Sequence, residues 1–357
     1  MTVLFGARRT GKTTLMNFIT DSLSTKKILV LNGEDYETAG ILSSGRQEVL
    51  KNLMVGYNYL FIDEAQNIPN IGQNLKLLVD TQPHVVVFAT GSSSFDLKNK
   101  IGEPLTGRSR FFTLHPFSMC EINDDYISAI KTLNTSLVYG SYPQVFLAPD
   151  LKEKRHLLEN IRNGYLLKDI LQLENLKDSL FVMNLLKLIA FQIGNDLSYN
   201  ELAKNLNTTV KTIQRYLEIL EKAFVIFRLP GFSRNLRKEI SKTPRFFFWD
   251  NGIRNVVISN FNSVEMRDDV GRLWENYCIS ERLKKQMYLD TFSNSYFWRT
   301  YDQQEIDMIE EIDGKISAYE FKLGDKEVKA PKAFRVHYPD ASFQTINRSN
   351  FFNFLNM

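Results

Sequence analysis

The run Gly6-Ala7-Arg8-Arg9-Thr10-Gly11-Lys12-Thr13 restricts what this chain can fold into more than any other feature. It fits G-x-x-x-x-G-K-[ST] at every fixed position, between an apolar run, Thr2 to Phe5, and a helical pattern, Thr13 to Leu23. Strand, glycine-rich turn and helix in that order let backbone N–H groups wrap a phosphate while the helix dipole favours the anion. Lys12 is expected on the outer phosphates and Thr13 on Mg²⁺, with Thr14 completing the nucleotide-binding run. Such a loop demands an α/β domain with a parallel sheet.

The runs that follow agree. Lys27 to Leu31, Tyr59 to Ile62 and Val85 to Ala89 are apolar without alternation and separated by polar or helical-pattern segments, as in a parallel sheet covered on both faces. Tyr59-Leu-Phe-Ile-Asp63-Glu64 ends in two acids, which predicts a Mg²⁺ carboxylate at Asp63 and a water-activating base at Glu64. An acidic pair at a strand end is common without function; the complete loop upstream gives this one its role. The strand at 85–89 runs into Thr90-Gly-Ser92-Ser93, hydroxyls placed to sense a γ-phosphate, with Thr90 or Ser92 as the sensor. No Asn-Lys-x-Asp motif is present, so ATP rather than GTP is expected. Arg108, in Leu105-Thr-Gly-Arg108, reads either as an arginine finger toward a neighbouring subunit's nucleotide or as a surface or intramolecular anchor.

Composition removes other classes. Hydrophobic residues at 43% and charged residues at 24% describe a chain that buries cores rather than a disordered one. At 357 residues two or three domains are expected. Cys120 and Cys278 have no partner at metal-ligand spacing, which argues against a zinc site or a secreted disulfide scaffold and predicts a reducing cytoplasm. No apolar run approaches the length of a membrane span, so no membrane partner is expected. The net charge of +3 is uneven: window 204–254 holds 11 basic and 4 acidic residues. Either a polyanion contact or a merely solvated basic face is expected there.

The motifs above, with Phe-Ile-Asp-Glu-Ala-Gln, Ala-Thr-Gly-Ser-Ser-Ser, Leu114-His-Pro-Phe-Ser118 followed by Glu121, and Gly140-Ser-Tyr-Pro143, resemble the bacterial and archaeal AAA+ ATPases that carry a restriction-endonuclease-like C-terminal domain. The resemblance spans nearly the whole chain. In one respect it departs: members usually carry a helical segment before the first strand, and here the strand starts at once, so a shortened N-terminus is expected and the resemblance assigns no adenine-side contacts. The expected order is a P-loop ATPase domain over 1–120, a helical lid or linker over 121–177, a winged helix over 178–263 and an α+β PD-(D/E)XK-like domain over 264–357.

The helix-turn-helix can be read from its residues, whereas the tail reading leans on the resemblance. Ser198-Tyr-Asn-Glu201 is a capping box opening a helix through Leu206; Asn207-Thr-Thr209 is a turn and Val210 to Leu220 a second helix. Leu202, Ala203, Ile213, Leu217 and Leu220 form its apolar face, and Lys211, Gln214 and Arg215 project opposite, where double-stranded DNA would lie. Phe224 to Leu229 reads as a strand and Pro230-Gly231 as the turn of a wing. A winged helix that binds protein, its polar face solvated, is the other reading.

Gly271-Arg-Leu-Trp-Glu275-Asn-Tyr begins an amphipathic helix; strands at 296–300, 305–312 and 316–323 follow, with Asp313-Gly314 as a type I′ hairpin loop. That turn sets Asp307 opposite Glu320 and Glu305 opposite Lys322, and facing carboxylates repel unless a cation or proton lies between them. Asp307, Glu320-Phe-Lys322 and Glu275 resemble the PD-(D/E)XK core, which implies Mg²⁺ held by Glu275, Asp307 and Glu320, with Lys322 steadying the attacking water or scissile phosphate. A surface hairpin with cross-strand charge pairs, a protonated acid, or a Lys322 salt bridge would each leave the site inert. ATP hydrolysis coupled to DNA-binding and nuclease-like domains is thus one reading; an ATP-gated binding switch with a silent tail is the other. A homo-oligomer is consistent with either.

Overall fold

The strand β1 (Thr2–Phe5) lies inside a five-stranded sheet, and its neighbours explain its apolar sequence. In this computed structural model, which describes residues 1–23, 26–92, 107–166, 170, 179–233 and 243–357, the sheet order is β2-β3-β4-β1-β5. The other strands are β2 (Ile28–Asn32), β3 (Tyr59–Asp63), β4 (Val86–Gly91) and β5 (Arg110–Thr113), and every pairing is parallel. Central strands buried on both faces cannot alternate, which is why β3 reads Tyr-Leu-Phe-Ile-Asp. The helices α1 (Lys12–Ser22), α2 (Tyr36–Leu42), α3 (Gln47–Leu53) and α4 (Ile71–Thr81) belong to the same part of the chain. One face of the sheet buries Val3, Leu60, Ile62 and Val87 against Leu42, Leu50, Leu75 and Leu78, all essentially inaccessible. Each such side chain contributes about 1.5–3 kcal/mol by leaving water.

Two compact units result: residues 1–115 with 222–224, and residues 116–221 with 225–357. The segment expected as a lid over 121–177 falls within the second unit. There Asn255, on the helix Asn251–Val257, is fully buried and donates to Leu137 O and Val138 O at 3.0 and 2.8 Å. Asp250 caps that helix and accepts from Ser141 N–H at 2.7 Å. Residues 167–169 and 171–178 of the expected lid lie outside the described residues.

The second unit holds two further sheets. The strands β6 (Ile226–Leu229) and β7 (Arg245–Phe248) pair antiparallel, and the strands β8 (Asn294–Arg299), β9 (Glu305–Ile312), β10 (Lys315–Phe321) and β11 (Ser342–Ile346) form a mixed sheet ordered β11-β10-β9-β8. The Pro230-Gly231 wing turn is not found. Pro230 O accepts from Phe297 N–H at 2.9 Å and Phe232 N–H donates to Phe297 O at 2.6 Å, so the chain runs on beside β8. A long-range pairing overrides a Pro-Gly signal that normally marks a turn. The β9–β10 hairpin keeps the expected register, Lys315 against Ile312 through Tyr319 against Met308. Asp313 and Gly314 have φ of 50° and 77°, the two positive values that a type I′ turn requires. No helix of the described residues is long and apolar enough to cross a membrane.

Candidate nucleotide site and C-terminal carboxylate cluster

The loop 6–11 joins β1 to α1 at the carboxyl edge of the parallel sheet, where open α/β sheets bind ligands. Gly11 caps α1 without any side-chain hydrogen bond, leaving the first-turn N–H groups to the loop's interior. Ala7 and Thr10 are buried, and the Thr10 hydroxyl donates to Ala7 O at 2.9 Å, bracing the turn. Arg9 sits at φ 65°, while Thr13 and Thr14 are exposed at the start of α1. Lys12 is buried, its Nζ donating to Gly6 O at 3.0 Å and Ala7 O at 2.8 Å. The ammonium is thus folded into its own loop.

Asp63, at the end of β3, joins this loop to β4. Its Oδ2 accepts from the Thr13 hydroxyl at 2.8 Å and its Oδ1 from the Thr90 hydroxyl. The Glu64 N–H donates to Thr90 Oγ1 and to Asp63 Oδ1, both at 3.2 Å. Glu64 takes φ 50°. Gly33 passes so close that a Cβ there would stand 2.5 Å from Glu64 O, which excludes any larger residue. Gln66, given no role above, donates from Nε2 to Glu64 and to Ser92 Oγ, the latter at 3.0 Å. Lys12, Thr13, Asp63, Glu64, Thr90 and Ser92 thus surround one end of the sheet; Ser93 lies outside the described residues.

Arg108 stands at the opposite edge. Met1 N donates to Arg108 O at 3.1 Å, Arg110 pairs with Thr2, and the Arg108 guanidinium meets Asp80 at 2.8 Å, with both side chains well exposed. The length of β1, about 3.3 Å per residue, separates it from the loop.

In the second unit, the helices Tyr199–Asn205 and Val210–Lys222 are joined through Asn207 at φ 50°, with Ser198 and Thr209 hydroxyls accepting the N–H groups of Glu201 and Thr212 at 3.3 and 3.2 Å. Leu202, Ala203, Ile213, Leu217 and Leu220 are buried, and Lys211, Gln214 and Arg215 are exposed together. The charge of window 204–254 is not all available to a partner. Arg245 and Arg254 are buried in ion pairs with Asp196 and Glu305 and with Asp269, and Arg228 pairs with Glu221. Arg234, Arg237, Lys238 and Lys242 lie outside the described residues.

At the tail, Asp307 and Glu320 are both buried. Asp307 Oδ2 accepts from Phe321 N–H at 2.8 Å, and Lys322 Nζ meets Glu320 Oε1 at 2.7 Å. Burial, then the neighbouring Glu320 charge, pushes the Asp307 carboxyl up to about 7. Burial and the Asp307 charge hold Glu275, on the helix Val270–Tyr288, well above the usual carboxylate range. Its Oε1 is buried without a hydrogen-bond partner, and Gly194 leaves it room, since a Cβ there would stand 2.9 Å from Oε2. Arg245 Nη2 reaches Glu305 at 2.8 Å, with the guanidinium carbon 4.4 Å from the Phe297 ring centre. Among the described residues, no three His, Cys, Asp or Glu side chains are disposed to hold a metal ion. The cluster's compensating cations are Lys322 and Arg245, the second of which sequence reasoning did not single out.

Residues 1–123 match the AAA domain family. The N-terminal segment is similar to AAA domains. Residues 130–264 and 270–351 match two domains of unknown function. The chain is similar to uncharacterized proteins of Mycobacterium tuberculosis, at 26% identity over 90% of this chain and 69% of that one, and of Methanocaldococcus jannaschii, at 24% over 86% and 71%. A Haemophilus influenzae protein, also uncharacterized, is 25% identical over 86% of this chain and 78% of its own length. The AAA match spans the glycine-rich loop, the Asp63-Glu64 strand end and the five-stranded parallel sheet.

Proposed function

We propose that the AAA domain binds and hydrolyses ATP, and that nucleotide state governs a C-terminal unit that binds double-stranded DNA. One observation carries the hydrolytic part: the Thr13 hydroxyl lies 2.8 Å from Asp63, with Glu64 fixed beside them. A hydroxyl and a carboxylate at that separation suit one Mg²⁺, which would neutralise charge on the phosphates. The loop 6–14 wraps the phosphates through its backbone, and Lys12 exchanges its carbonyl partners for phosphate oxygens. Glu64 takes the proton of the attacking water, and Thr90 or Ser92 orients the γ-phosphate. A role for Arg108 would be in trans, on a neighbouring copy in a homo-oligomer. Release of phosphate from Mg–ATP by the full chain tests this reading.

The helix–turn–helix, read as part of a winged helix, is proposed to bind DNA through Lys211, Gln214 and Arg215. Lys211→Glu with Arg215→Glu is expected to weaken duplex binding and to lower the slope of log affinity against log salt by about two, one for each lost phosphate contact. Fluorescence anisotropy across a salt series checks it; an unchanged slope assigns this helix to protein contact.

For the tail we favour the silent reading within a PD-(D/E)XK-like fold. Lys322 is committed to Glu320 and Arg245 to Glu305, so cations of the chain itself already meet the carboxylates. The cleaving reading needs Glu320 to release Lys322, and Glu275, Asp307 and Glu320 to take Mg²⁺ together.

A further inference from the structure

We infer that Gln66 is a positioning residue for hydrolysis, holding the Glu64 carboxylate and tying it to the Ser92 hydroxyl; the inference rests on the hydrolytic reading above. Glu64 has a main chain fixed on two sides. Its N–H is held by Thr90 and Asp63, and Gly33 closes on its carbonyl, with Gly33 N–H donating to Asp63 O at 2.8 Å. What remains to be fixed is a long side chain, and holding such a rotor in one orientation costs conformational entropy. Gln66 supplies the fixing group. It lies on the single turn Ala65–Asn67 that follows Glu64, so its amide reaches back to the carboxylate two residues earlier.

The same nitrogen also meets Ser92 Oγ at 3.0 Å, 26 residues away at the tip of β4. An amide NH₂ has two hydrogens, one for each acceptor. The group that takes the water's proton and a hydroxyl placed beside the γ-phosphate are therefore held by one donor. When the Ser92 hydroxyl turns toward a phosphate oxygen, its own oxygen still accepts from Gln66, so the carboxylate stays in register with the phosphate. Gln66 itself transfers no proton; it sets where Glu64 points when water attacks.

The test uses the full chain with Gln66→Met, which keeps length and loses the donors, Gln66→Glu, which keeps shape and adds like charge beside Glu64, Ser92→Ala, and the double variant Gln66→Met with Ser92→Ala. Steady-state ATP hydrolysis is measured with affinity for a non-hydrolysable ATP analogue and Mg²⁺. Expected is a fall in kcat of about 10²-fold in Gln66→Met and at least as much in Gln66→Glu, with KM and analogue affinity within about twofold of wild type. The double variant should lose less than the product of the two single losses, because both single variants remove the Gln66–Ser92 linkage. Wild-type kcat in Gln66→Met, a parallel loss of kcat and analogue affinity, or multiplying effects in the double variant would overturn the inference while leaving hydrolysis in place. A wild-type chain that does not hydrolyse ATP would remove the hydrolytic reading, and this inference with it.

Discussion

Glu64→Gln is expected to lower kcat for ATP by roughly 10²–10⁴-fold, the usual contribution of a positioned general base, while Mg–ATP binds as in wild type. The amide keeps the shape of the carboxylate and cannot accept the water's proton. The backbone N–H of Glu64 still donates to Thr90 and Asp63, and Asp63 still meets Thr13, so the phosphate and Mg²⁺ side of the site is untouched. The variant should therefore accumulate bound ATP, seen as unhydrolysed nucleotide that stays with the protein through rapid desalting. Equal turnover in wild type and variant would place the base elsewhere.

Asp307→Asn should change how stability depends on pH. The Asp307 carboxyl titrates at about 7 in the folded chain against an ordinary 3.8, because it is buried and faces Glu320. Between those values the folded state binds more protons than the unfolded one, so stability is full below about 4 and falls as pH rises through 7. A shift of this size corresponds to about 4 kcal/mol at most, at 1.36 kcal/mol for each pKa unit. Glu275 and Glu305 add negative potential, and Lys322 opposes it. Asparagine removes the charge and can still accept from Phe321 N–H. Thermal melts from pH 5 to 8 should show wild type losing stability toward pH 8, the variant losing less, and the variant melting higher at pH 8. Parallel curves would contradict the burial argument. If Mn²⁺ restores the wild type at pH 8 and leaves Asp307→Asn unchanged, the carboxylates hold a metal and the silent reading falls.

What could be read from sequence was what chemistry makes local. The glycine-rich loop, the strand before it and the helix after it occupy adjacent residues, and the Asp313-Gly314 turn fixes its hairpin register through its own two dihedrals. What escaped depends on distant partners. Gln66 acquires its role from Ser92, 26 positions on, and Arg245 from Asp196 and Glu305, 49 and 60 positions away. Pro230-Gly231 looked like a turn because nothing nearby reveals that Phe297 pairs with its flanks. The strand β5 is short and mostly exposed, with only Phe111 and Phe112 apolar, so it lacks the longer buried run that marks β3. The basic window misled in the same way, since composition counts Arg245 and Arg254 as surface charge and packing buries them.

The most direct test of the account is calorimetric titration of Mg–ATP into the full chain and into Lys12→Ala. Lys12 places a buried ammonium beside the loop carbonyls. Its charge-assisted bonds to phosphate are worth about 1.5–3 kcal/mol, so the variant should bind roughly 10–100-fold more weakly, with wild type binding one nucleotide per chain. Equal affinity in the two proteins, or no binding to either, would contradict the assignment of this site to ATP.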